Sequence, residues 1–177
     1  MKYFIVSDVH GSLHYVSKAF ERFKESNADY FICLGDFYYH GPRNPLTQDY
    51  NPMKVSKLFN SLGNKLIAIR GNCDAEVDQM ISTFIFKDNY TFNLSDNLKV
   101  YCHHGHKDIE NIHQFNLILS GHTHVGVLKN DDGVLFANPG SISLPKAHNS
   151  QGFILLDEKS IQHFDLLDGH LIQKIIF

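Results

Sequence analysis

Five apolar runs in this chain end alike: KYFIVSDVHG (2–11), DYFICLGD (29–36), KLIAIRGNCD (65–74), KVYCHHGH (99–106) and LILSGHTH (117–124). Each has the Val, Ile, Leu and aromatic content of a buried strand. Each then closes on residues that bind metals: Asp8 and His10, Asp36, Asn72, His104, then His122 and His124. In open α/β sheets, ligands lie beyond the carboxyl ends of the strands. A fold that accepts this sequence therefore gathers those ends at one edge, where residues far apart in the chain form one site.

Between the runs the hydrophobic period changes. Leu13, Val16, Ala19, Phe20 and Phe23 recur at helical spacing behind Ser12, a suitable N-cap, and Asn51 to Leu62 reads as a second helix. This strand and helix alternation predicts a parallel or mixed sheet with crossover helices. After residue 85 come TFNL, VGVLKN, VLFANPG, GFILLDE, IQHFDLL and HLIQKIIF, with turn signals at Asp131-Asp132-Gly133 and Asp168-Gly169. The second half is thus expected to run as hairpins. No linker, repeat or low-complexity tract interrupts the chain. Its 177 residues suffice to bury a core without staples, so residues 1–177 read as a single domain.

The bulk numbers narrow the partners. A net charge of −3 offers no basic excess for an obligate nucleic-acid partner. The apolar run at the N-terminus is stopped by Asp8, too early for a signal peptide or a membrane span. Cys33, Cys73 and Cys102 are odd in number and read as reduced thiols, which fits a cytoplasmic setting. Cys33 and Cys102 sit in strand-like runs and are expected to be buried.

The donor set mixes imidazole with carboxylate, which suits first-row ions such as Mn, Fe and Zn better than Mg or Ca. Seven donors exceed what one four-coordinate ion needs and match two ions sharing a carboxylate. Taken singly, each has a structural explanation: Asp8 and Asp36 as helix caps, Asn72 as a turn residue, each histidine as a satisfied core side chain. Those explanations do not account for all seven at strand ends.

The ordered pieces SDVHG, LGD, GNCD, HHGH and GHTH resemble the signature of the calcineurin-like metallophosphoesterases. YHGPRNPL (39–46), KLIAIRGNCDAEVDQM (65–80) and NPGSISLPK (138–146) resemble, more narrowly, the small bacterial YfcE-type phosphodiesterases. The resemblance implies an α/β fold, a four-layer α-β-β-α sandwich of two mixed sheets flanked by helices. It implies that Asp8, His10 and His124 hold one ion, that Asn72, His104 and His122 hold another, and that Asp36 bridges them. His103 is then a neighbour facing elsewhere. The two divalent ions would be Mn2+ by resemblance, with Fe, Zn, Co or Ni as substitutes. A hydroxide bridging them would attack a small phosphodiester, with Asp36, Asn72, His104 and Cys73 the candidate catalytic side chains.

Cys73 departs from the family pattern, which commonly has a histidine there to protonate the leaving group. A thiol does not become the cation that steadies a transition state, so His106, another group or solvent takes that role. Arg43, whose planar fork suits phosphate, is the candidate substrate-binding residue, with His40 and His106 beside it. Asn138-Pro139-Gly140-Ser141 is expected to shape a tight turn next to the metal loops. Two other functions fit the same resemblance. One is a non-catalytic interaction scaffold like the small retromer subunit, which would have lost ligands. The other is a phosphomonoesterase or nucleotidase. The short loops favour a small-molecule partner, and the apolar HLIQKIIF edge offers a place for a homo-oligomer to pair.

Overall fold

The alternation in Tyr3–Val6 sets the layering. As β1 (Tyr3–Val6), this run sends Tyr3 and Ile5 to one face and Phe4 and Val6 to the other, the period of two of an extended chain, and all four are buried. A strand buried on both faces needs a layer on each side. The computed structural model describes residues 1–177 and supplies both.

Behind Ser12, whose hydroxyl accepts from Tyr15 N–H, α1 (Leu13–Ser26) buries Val16, Ala19, Phe20 and Phe23 and ends at Asn27 in a left-handed cap. β2 (Tyr30–Cys33) pairs parallel with β1, and α2 (Pro52–Asn60), capped by the Asn51 side chain, leads to β3 (Leu66–Ala68), parallel to β2. The two helices cover one face through an aromatic core of Phe4, Phe20, Phe23, Phe31, Phe37 and Phe59. Truncating one of these rings, such as Phe31, would cost about 3–5 kcal/mol.

The chain then builds a second sheet from β4 (Asn89–Ser95), β5 (Leu98–His103), β6 (Leu117–Leu119), β7 (Gly126–Asp131) and β8 (Val134–Pro139). The order is β4-β5-β6-β8-β7. β9 (Gly152–Leu156), β10 (Ser160–Asp165) and β11 (Leu171–Ile176) return to the first sheet, giving β11-β10-β9-β1-β2-β3. Ile5, Ile32 and Ile154 from one sheet meet Val100, Leu117, Leu119 and Leu135 from the other. Outside the second sheet, the cover is a loop with a short 3-10 turn, Ile112–Gln114, whose Ile112 packs near Phe115, Ile118 and Val134. The order of layers is the expected one, with this outermost layer reduced to a single turn.

The hairpin expectation for the second half needs correction. β4–β5, β7–β8 and β9–β10–β11 are antiparallel, and Asp132 and Gly133 both take positive φ in the β7–β8 turn. β6, however, pairs parallel with both β5 and β8. LILSGH is a central strand buried on both faces, reached by crossover rather than by a turn. That places its carboxyl end beside those of β1, β2, β3 and β5.

Candidate metal centre

The loops leaving β1 and β2 are zipped together before any side chain is considered: Asp8 N–H donates to Gly35 O and His10 N–H to Asp36 O. Gly35 has a φ of 111°, and a Cβ there would lie 2.5 Å from His104 Nδ1 and 2.8 Å from Gly71, so only glycine lets the three loops approach. Asp74 ties in the third loop. Its buried carboxylate accepts from Asp36 N–H, Phe37 N–H and Gly71 N–H at 2.7–2.9 Å. Burial, then the charge of Asp36, push its pKa up to about 7 against those bonds. The Asn138 turn lies where expected: Asn138 donates to Gly121 O, and Ser141 and Ser143 hydroxyls both donate to Asp8 O.

The seven candidates converge. Asp8, His10 and His124 form one close group, and Asp8, Asp36 and His104 another. His10, His104 and His124 each donate Nδ1–H to a backbone carbonyl, of Tyr39, Leu34 and Leu144, at 2.6–2.8 Å. A carbonyl only accepts, so the proton is fixed on Nδ1 and Nε2 is turned inward, the usual support for a ligating imidazole. His10 Nε2 and His124 Nε2 then face each other at 3.2 Å. Two lone pairs so placed repel, whereas nitrogens bound to one tetrahedral ion sit roughly 3.4 Å apart. Asp8 Oδ1, buried with no hydrogen-bond partner, lies 3.3 Å from His124 Nε2. An orphaned carboxylate oxygen beside two inward nitrogens is a set of donors that fits a cation.

Asp36 stands between this group and the next. Its Oδ2 lies 3.6 Å from His10 Nε2, and its Oδ1 lies 3.5 Å from His104 Nε2 while accepting Cys73 N–H at 2.8 Å. Asn72 Oδ1 sits 3.0 Å from His104 Nε2 and 2.7 Å from His122 Nδ1. Without a metal, a proton holds this half together. Burial lowers the His104 pKa, but the Asp36 hydrogen bond and the charges of Asp8 and Asp36 outweigh it and raise it to about 9. Burial likewise opposes ionisation of Asp36, yet the His104 bond and charge bring its pKa down to about 2. Burial holds His10 and His122 below the usual imidazole value.

The backbone shows what this convergence requires. Asp8, His10, Asp36, His122 and His124 all have positive φ, between 47° and 68°. Such conformations cost about 1–3 kcal/mol each and cluster at functional sites. Five at one site exceed what caps and turns explain.

The donors open into a cleft of about 800 Å³ whose walls include Arg43, Lys146, Tyr39 and Cys73. Arg43 is where the sequence reading placed it. His40 is not: its ring packs edge-on against Tyr39 and Tyr50 and does not line the cleft. His106 is exposed beside the His104 and His122 rings, at 5.3 and 6.2 Å, and also lies outside the cleft lining. His103 ends β5 and pairs with Asn89, and burial pushes its pKa down to about 4. Lys146, Tyr39 and Asp74 escaped the sequence reading. Each stood in a quoted stretch without being singled out: Tyr39 first in YHGPRNPL, Lys146 last in NPGSISLPK and Asp74 last in GNCD. Cys33 and Cys102 are fully buried, as expected.

Two stacked mixed sheets with a donor set at their shared edge define a class, and the chain matches the calcineurin-like phosphoesterase superfamily domain over residues 1–160, so it belongs to that family. Within it, the chain is 35% identical to phosphodiesterase YfcE of Escherichia coli K12, over 99% of this chain and 97% of that protein. The solved YfcE structure superposes with a TM-score of 0.91 over 99% of this chain and 98% of that one. Phosphodiesterase MJ0936 of Methanocaldococcus jannaschii is 30% identical over 79% of this chain and 83% of its own. Vacuolar protein sorting 29 of Cryptosporidium parvum shares the fold, with a TM-score of 0.67 at 18% identity over 99% of this chain and 97% of that one. No helix is long and apolar enough to cross a membrane.

Proposed function

We propose that this protein is a metal-dependent phosphodiesterase that hydrolyses a small phosphodiester at a pair of divalent ions, Mn2+ first and Fe, Zn, Co or Ni as substitutes. One observation carries the reading: the two oxygens of Asp36 face different donor groups, His10 on one side and His104 on the other. When bound, the ions supply Lewis acidity toward the phosphoryl oxygens and make water acidic enough to attack at neutral pH. Asp36 spans the two positions. Asp8, His10 and His124 serve one, and Asn72, His104 and His122 the other. Asn72 offers a neutral oxygen, which limits negative charge where an anionic ester must approach.

Arg43 and Lys146 bring cations to the cleft wall, where charge-assisted bonds orient the non-bridging oxygens. Cys73 stands in the general-acid position but does not act as an imidazolium would. Burial, then the Asp36 charge, push its thiol up to about 12. Proton delivery to the departing oxygen therefore falls to solvent, which favours esters with good leaving groups. The likeness to two proteins named as phosphodiesterases favours a diester over a monoester. A scaffold with a degraded site is set aside because all seven donors are present and oriented. The reading includes a cytoplasmic setting, in keeping with the free thiols of Cys33, Cys73 and Cys102. It also includes self-association along the β11 edge, where Leu171, Ile172 and Ile176 are exposed.

The test is hydrolysis of bis(p-nitrophenyl) phosphate beside p-nitrophenyl phosphate, in protein stripped by chelator and reloaded with Mn2+. Asn72→Ala and His104→Ala, checked for folding by circular dichroism, are expected to lower the diesterase kcat/KM by about 10²-fold or more. Inactivity of folded wild-type protein with every first-row ion would refute the reading.

A further inference from the structure

Beside the polar cleft lies a second cavity of about 310 Å³, and the two share Tyr39, Cys73 and Ala75 as a common wall. The remainder of the second cavity is mostly apolar, with Tyr50, Pro52, Val77 and Ile81 facing it. The shared residues touch the donor set directly. Tyr39 O accepts from His10 Nδ1–H, and Cys73 N–H donates to Asp36 Oδ1, both at 2.8 Å. A phosphoryl group held at the donors therefore lies next to the wall that the two cavities share. Val77 is 63% exposed and Tyr39 43%, so this surface stays in contact with water until something covers it. Covering it is favourable in proportion to the apolar area removed from water.

Charge decides what fits. The one ionisable side chain unique to this cavity besides the tyrosines is Asp78, whose carboxylate accepts from Ala75 N–H at 2.8 Å. The cations Arg43 and Lys146 line only the polar cleft. A second phosphate or a carboxylate would meet Asp78, and the cation beside it, Arg70, acts on Asp78 itself and does not line the cavity. An uncharged ring or bulky apolar group would meet tyrosines, proline and valine.

Resting on the phosphodiesterase reading, we propose that this cavity receives one ester arm of the substrate. The preferred substrates are then phosphodiesters with at least one uncharged aromatic or bulky apolar arm. The inference assigns Tyr39, Tyr50 and Val77 a part in specificity that the metal chemistry does not require.

The Mn2+-loaded enzyme is to be compared on phenyl p-nitrophenyl phosphate and methyl p-nitrophenyl phosphate, which share a leaving group and differ only in the other arm. After division by the uncatalysed ratio, kcat/KM is expected to favour the phenyl ester by about tenfold or more. The preference should collapse toward unity in Val77→Asp and survive in Val77→Leu, with sedimentation run on all three proteins. An equal preference for both esters in wild type, or a preference untouched by Val77→Asp, overturns the inference and leaves the diesterase intact. Failure of wild type to cleave either ester removes the diesterase reading and the inference together. A wild-type dimer that Val77→Asp dissolves would assign the face to a second copy of the chain and also overturn it.

Discussion

The two donor groups share a carboxylate but not an environment. Asp8, His10 and His124 are each at most 3% exposed, and Asp8 is further held through its main-chain oxygen by Ser141 and Ser143. Both imidazoles are pinned through Nδ1 to backbone carbonyls. In the other group only His104 is buried; Asn72 is exposed and His122 half-exposed, and the His122 ring's hydrogen bond is to Asn72 itself. One half is therefore built by the fold before any ion arrives. The other still has side-chain freedom to lose on binding, which weakens it. The buried group is expected to bind its ion more tightly and release it more slowly.

The largest effect should come from the residue the two halves share. Asp36→Asn keeps the shape but removes the charge that faces both groups, so kcat/KM is expected to fall by about 10³ or more. Metal content measured by mass spectrometry should drop in the same variant. Retention of two ions with near-normal activity would show that Asp36 does not bridge.

Next in size is the contrast between the halves. Asn72→Ala should reduce kcat/KM by about 10²-fold, the upper end of the usual cost of losing a ligand's own support. After mild chelation it should still retain one ion per chain, while His124→Ala retains none. Equal retention in the two variants would undo the contrast.

The sequence showed the donor set more clearly than the walls of the cleft, for a physical reason. Asp8, His10, Asp36, His122 and His124 follow apolar strands directly, so a periodicity argument carries straight to them. α1 was legible through Ser12 and its spaced Leu13, Val16, Ala19, Phe20 and Phe23. Lys146 closes the quoted stretch NPGSISLPK, yet it reaches the cleft because its loop folds back, with Lys146 N–H donating to His124 O, and no hydrophobic period announces that. His40 looked like a cleft residue from its neighbours in GPRN, but aromatic packing on Tyr50 took its ring away. The parallel placement of LILSGH between β5 and β8 was hidden because a short apolar run reads the same in a hairpin and in a crossover.

A smaller, pH-dependent effect separates the metal-free state from the loaded one. In stripped protein, His104 has its pKa raised from an ordinary 6.5 to about 9. A raised folded-state pKa means that the stabilisation is complete below pH 6.5 and is lost as pH rises through about 9. The melting advantage of stripped wild type over stripped His104→Gln should therefore be full near pH 6 and fade by pH 10. Loaded protein should not follow this course, because an imidazole bound to an ion has already given up that proton. A constant difference across the range in stripped protein would mean that His104 is not held by Asp36 in the way the distances indicate.

The smallest expected effect falls on the thiol that stands beside the donor set without joining it. Cys73 lines both cavities, and its thiol is pushed up to about 12, by burial first and the Asp36 charge second. An acid that weak gives little help to a leaving group such as p-nitrophenolate, and the backbone N–H that Cys73 donates to Asp36 survives a side-chain change. Cys73→Ala should therefore alter kcat for bis(p-nitrophenyl) phosphate by less than about threefold. A loss as large as that from Asn72→Ala would return the thiol to the chemistry. It would also make the open half of the site depend on a proton donor rather than on metal binding alone.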